Sequence, residues 1–102
     1  MQVFSSKGNA PAHVTLDTEN SLLHVTNYDH TSGSYSAFSL DNKTGEILDN
    51  VYVDDFASEI KEGNEDEKVS HAHHAVTHGK FAYVVDLGLN KVMHYEVSIH
   101  IL

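Results

Sequence analysis

The residues that could do chemistry crowd into one stretch, Ser70-His-Ala-His-His-Ala-Val-Thr-His-Gly-Lys-Phe-Ala-Tyr-Val-Val-Asp-Leu-Gly88. Imidazole takes or gives a proton near neutrality, so a histidine cluster can supply an acid, a base or a ligand. His71, His73 and His74 fall on one short apolar strand, followed by a turn at His78-Gly79-Lys80 and a second strand from Phe81 to Val85 that ends at Asp86. Alternation predicts His71 and His73 on one face and His74 on the other. A zinc site from His71, His73 and His78 is conceivable on ligand chemistry, but the spacing matches no recognised set, and no metal is expected.

The elements that must position this cluster are strands. His13–Leu16 alternates and runs into the polar turn Asp17-Thr-Glu-Asn-Ser21; Leu22–Asn27 and Ser34–Leu40 follow. Asp41-Asn-Lys-Thr-Gly45 supplies Asn and Gly where positive φ is wanted, and Glu46–Val53 forms a fourth strand with a break at Asp49-Asn50. Strands resume at His73–Thr77, Phe81–Val85 and Lys91–Val97, before an apolar tail from Ser98 to Leu102. No apolar stripe of helical period and length occurs, so the chain is predicted to be all-β.

The motifs repeat. Ala12-His-Val-Thr-Leu-Asp17 aligns with Ala72-His-His-Ala-Val-Thr77, Leu22–Asn27 with Phe81–Asp86, and Tyr35–Leu40 with Val92–Val97. The spacing is roughly sixty residues, and four short antiparallel strands per repeat make a β-propeller blade. The units run over 11–55 and 70–102, the second incomplete, with an acidic stretch at 56–69 that reads as a solvated loop. An ordinary β-meander is the plainer alternative.

Composition excludes several classes. The chain has 102 residues, 40% of them hydrophobic, enough for one small domain. Its formal net charge is −9 and its six basic residues are all lysine. Nucleic acid and anionic membranes are poor partners for such a surface. Cysteine is absent, which removes disulfides and thiolate metal sites and fits a reducing compartment. No apolar run has the length of a signal peptide or a membrane span, so the expected location is cytoplasmic.

These residues resemble the lactonase family of seven-bladed propellers, which includes 6-phosphogluconolactonases and carboxy-muconate cyclases. The first unit carries the resemblance in Pro11-Ala-His13, Leu23-His-Val-Thr-Asn-Tyr28 and Gly33–Leu40, with Thr26 where the family has alanine. The second carries it in His71-Ala-His73 and Asp86-Leu-Gly88. About two blades are covered, so the chain resembles a propeller fragment.

The resemblance implies hydrolysis of a sugar lactone in carbohydrate metabolism, at the pentose phosphate level, without a cofactor. It implies His73 as the active-site histidine and His71 as its neighbour. Asp86 and Asn27 end equivalent strands, and are expected to orient a histidine and to donate to substrate oxygen. The arginines and further carboxylate that the resemblance implies have no counterpart here, so the isolated chain is expected to be inactive. A non-catalytic interaction module is the alternative, and a muconate-type cycloisomerase another. Open blade edges imply self-association. His13, His24, His30, His94 and His100 are expected to be surface or hydrogen-bonded strand residues, and Tyr28, Tyr35, Tyr83 and Tyr95 inter-blade packing.

Overall fold

The computed structural model describes residues 1–29, 32–56 and 70–97. Most of the acidic stretch, His30 and the tail with His100 lie outside the described residues. Among the described residues, seven strands form two antiparallel sheets. The first contains β1 (Pro11–Asp17), β2 (Leu22–Asn27), β3 (Ser34–Leu40) and β4 (Ile47–Asp55), in that order. The second contains β5 (Ala72–His78), β6 (Phe81–Asp86) and β7 (Lys91–Glu96). No α-helix occurs among the described residues, and none is long and apolar enough to cross a membrane. The all-β expectation and the strand order of successive propeller blades are observed.

Local chemistry sets the turns. Gly79 opens the two-residue β5–β6 turn at φ 57°, where a two-residue hairpin asks for a positive angle. Asp41 closes the β3–β4 turn by accepting the N–H groups of Lys43 at 2.8 Å and Thr44 at 3.0 Å. Strand β4 does not break at Asp49-Asn50. It runs through with irregular register, passing over Leu48 and Val51. Such bulges bend a strand without ending it.

The two sheets pack face to face. Tyr35 and Ala37 of β3 share one buried cluster with Phe56, Ala72, Ala75 and Val84. Tyr35, Tyr52 and Tyr95 meet across the seam, with Tyr35 and Tyr95 centroids 4.8 Å apart. The Tyr95 hydroxyl donates to Asp54 at 2.6 Å. Tyr35 and Tyr95 thus pack between the sheets as expected. Tyr83 instead stacks on His94 of its own sheet, at 5.0 Å.

The register corrects the alignment of the repeats by one residue. Pro11 faces Asn27 as Ala72 faces Asp86, and His13 faces Thr26 as His74 faces Val85. His13 therefore corresponds to His74, not to His73. In each unit one extra residue, Ala12 or His73, is skipped where the register shifts. Matching the Ala-His pairs by eye conceals that shift, because a bulge leaves no compositional mark.

Candidate functional site

Asn27, His71, His73 and Asp86 all lie at the end of the two sheets where β1 and β5 begin. Strand polarity explains this: β2 and β6 terminate beside the starts of β1 and β5. The structure brings the predicted residues to one end, but their side chains do different things.

Asp86 is 2% exposed. One carboxylate oxygen accepts the hydroxyl of Ser70; the other accepts the main-chain N–H of His71 at 2.9 Å and of Leu89 at 2.8 Å. The carboxylate thus fastens the β6–β7 turn to the start of β5. It meets the backbone of His71, not its ring.

The ring of His71 is held elsewhere. Its Nδ1 lies 2.8 Å from the Asp29 carbonyl and 3.1 Å from that of Tyr28. Carbonyl oxygens only accept, so Nδ1 carries the proton and donates. In the neutral ring the lone pair is then at Nε2. The imidazole also stacks on Tyr28, with centroids 4.0 Å apart and planes within 12°. Tyr28 therefore packs between the units, as its position predicts. Its second task, clamping a histidine in one orientation, was not visible in the sequence.

His73 occupies the bulge and is exposed. The alternation from which the faces of the histidines were inferred is broken there. His73 meets Tyr28 edge-on at 6.4 Å and lines an open cleft of about 440 Å³ with Val85, Asp86, Leu87, Asn90, Lys91 and Val92. One tyrosine thus touches both histidines.

Asn27 is fully buried. Its Nδ2 donates to the Ser6 carbonyl and the Ser34 hydroxyl, each at 3.1 Å. The N-terminal segment lies over it, so close that a Cβ on Gly8 would come within 2.7 Å of Nδ2. The amide hydrogens are therefore engaged within the fold. Its Oδ1 is buried without a hydrogen-bond partner among the described residues.

Three further histidines serve the sheets. His24 is fully buried, with Nε2 2.9 Å from Asp17 and Nδ1 2.7 Å from the Tyr35 hydroxyl. A neutral ring satisfies both partners if Nε2–H donates to the carboxylate and Nδ1 accepts from the phenol. Burial pushes the His24 pKa below its ordinary value, and the Asp17 contact opposes this less strongly. His13 and His74 stack at 3.8 Å across β1 and β5. No group of three or more metal-ligating side chains converges among the described residues.

A family model described as lactonase, seven-bladed β-propeller, matches residues 1–101. No curated protein and no solved structure matches the chain.

Proposed function

Because this chain belongs to the seven-bladed β-propeller lactonase family, we propose that its His71–His73 end serves hydrolysis of a sugar lactone. The substrate class is that of the 6-phosphogluconolactonases, in cytoplasmic carbohydrate metabolism. One observation carries the reading: the Nδ1–H of His71 is tied to two carbonyls, which leaves Nε2 as a proton acceptor.

In this mechanism Nε2 of His71 takes a proton from water as the water oxygen bonds to the lactone carbonyl carbon. The ring C–O bond then breaks, and the departing alkoxide takes a proton from the imidazolium or from protonated His73. The product is an open-chain hydroxy acid. His73 suits the donor role because it is exposed, lines the cleft and meets Tyr28, the ring on which His71 stacks. Asp86 acts one step back, by fixing the backbone that carries His71.

Lys91 is the cationic residue along the cleft, and the sequence holds no arginine. Anchoring of a phosphate and stabilisation of the developing oxyanion are therefore weak in this chain alone. A second reading, a non-catalytic binding module, draws support from Asn27, whose donors are engaged internally.

The deciding experiment is lactone hydrolysis by the purified chain, beside His71→Ala and His73→Ala. Turnover above the uncatalysed rate, lost in both variants with the β-type circular dichroism intact, supports the hydrolase. Turnover that survives both substitutions excludes these histidines. No turnover at all favours the binding module.

A further inference from the structure

The register equates not only residues but faces. In the first sheet Thr15, Thr26, Tyr28 and Tyr35 belong to the side that grips the second sheet. Thr15 donates to the Ala75 carbonyl at 2.6 Å, Tyr28 stacks on His71, and Tyr35 lies in the shared core. The corresponding residues of the second sheet are Val76, Val85, Leu87 and Val92, as the strand pairing requires. All four are apolar and between 42% and 65% exposed. The second sheet therefore carries, unoccupied among the described residues, the same face that the first uses to hold its neighbour.

The complementary face is repeated too. Ala75, Ala82 and Val84 point from the second sheet into the seam, and register equates them with Val14, Leu23 and Val25 on the outer side of the first. Val14 and Leu16 are 58% and 62% exposed there. Val25 and Phe38 are buried, with Phe4, Ser5 and Ser6 of the N-terminal segment beside them. That segment is tied down by Gln2, which exchanges two hydrogen bonds with the backbone of Ile47, each 3.1 Å long.

Charge bears on which faces meet. Residues 1–56 carry eight carboxylates against Lys7 and Lys43, whereas residues 70–97 carry Asp86 and Glu96 against Lys80 and Lys91. Two first sheets repel; a second sheet meeting a first does not.

We propose that the outer face of β5–β7 docks head to tail on the outer face of β1–β4 of a second copy, stacked in the sense of the seam inside the chain, with apolar contacts at Val76 and Leu87 where that seam uses Thr15 and Tyr28. The contact is heterologous: each copy offers one donor face and one acceptor face. It does not require lactone hydrolysis, but Val85, Leu87 and Val92 also wall the His73 cleft, so a docked copy covers that cleft. The N-terminal segment and the incoming copy share part of the acceptor face, so they compete.

The test is sedimentation of the full chain over a range of concentrations, with Val85→Lys on the donor face and Val14→Lys on the acceptor face. Both positions are exposed, so circular dichroism should remain that of the parent. The parent should assemble, and each variant should need roughly tenfold more protein or stay monomeric. An equal mixture of the two variants should form a one-to-one pair that does not grow, because each retains the face the other lacks. Gln2→Ala, which loosens the competing segment, should lower the concentration for assembly. A parent that stays monomeric overturns the proposal, as does failure of the two variants to complement. Unchanged assembly in Gln2→Ala overturns the competition on the acceptor face.

Discussion

Asp86 accepts the main-chain N–H of His71 at 2.9 Å, while the imidazole of that residue turns away to the Asp29 carbonyl. The carboxylate places the histidine; two carbonyls and an aromatic ring aim it. That division of labour separates stability from chemistry and can be tested residue by residue.

Asp86→Asn should destabilise the chain by about 1–3 kcal/mol, because an amide can replace only one of the two accepting oxygens and presents N–H to a donor. Urea unfolding measures this directly. Unchanged stability would show that its three hydrogen bonds contribute little to the fold.

In its neutral form the His71 ring should give the nitrogen shifts of the Nδ1–H tautomer in a nitrogen-15 NMR spectrum. Tyr28→Ala removes the stacking surface and should broaden or shift those signals, even in a preparation with no turnover. His71→Ala should lower any lactone hydrolysis by roughly 10²–10⁴-fold, the usual range for a lost general base. A spectrum dominated by Nε2–H would contradict the assigned geometry.

Stability should fall as pH drops below about 6.5. Burial holds the His24 pKa beneath its ordinary value in the folded chain, so the unfolded chain takes up the proton first. The contribution of His24 is thus present above its unfolded pKa and is lost as pH falls through and below it. Unfolding in urea at about pH 7.5 and about pH 5.5 tests the sign. In His24→Gln, whose amide can still donate to Asp17 and accept from Tyr35, the pH dependence should shrink. An equal drop in both proteins would place the effect on other histidines.

Gly33→Ala should cost about 1–3 kcal/mol, since its Cβ would lie 2.5 Å from the Ala72 backbone nitrogen, an atom that cannot swing aside. Gly45→Ala is the control. There the Cβ meets nothing within 4 Å, and only the φ of 79° opposes it. Thermal melts of the pair should rank Gly33→Ala as the more damaging, and the reverse order would discredit the tight seam.

The strands were legible because side-chain alternation and turn residues are local signals. Leu22–Asn27 and Ser34–Leu40 were read with their observed limits, and the turn residues Asp41 and Gly79 do what their types suggest. The gathering of Asn27, His71, His73 and Asp86 at one end followed from strand polarity. What stayed hidden depends on distance along the chain or on a single added residue. The Tyr28–His71 stack joins positions 43 apart, as does the bond from His71 to the Tyr28 carbonyl. The bulge at His73 looks like any strand residue on paper, yet it shifts the register of the repeat. The covering of Asn27 by Ser6 and Gly8 arises from a segment with no periodicity to read.

The seam between the sheets is fastened at three heights. Gly33 donates to the Ser70 carbonyl at one end, Thr15 to Ala75 in the middle, and the Asn20 amide to the Gly79 carbonyl at the other. A book bound along its whole spine cannot be opened from one corner. Peeling must break the three clasps nearly together, so the sheets should separate in a single cooperative step, and amides on both sides of the seam should exchange with solvent at one common rate.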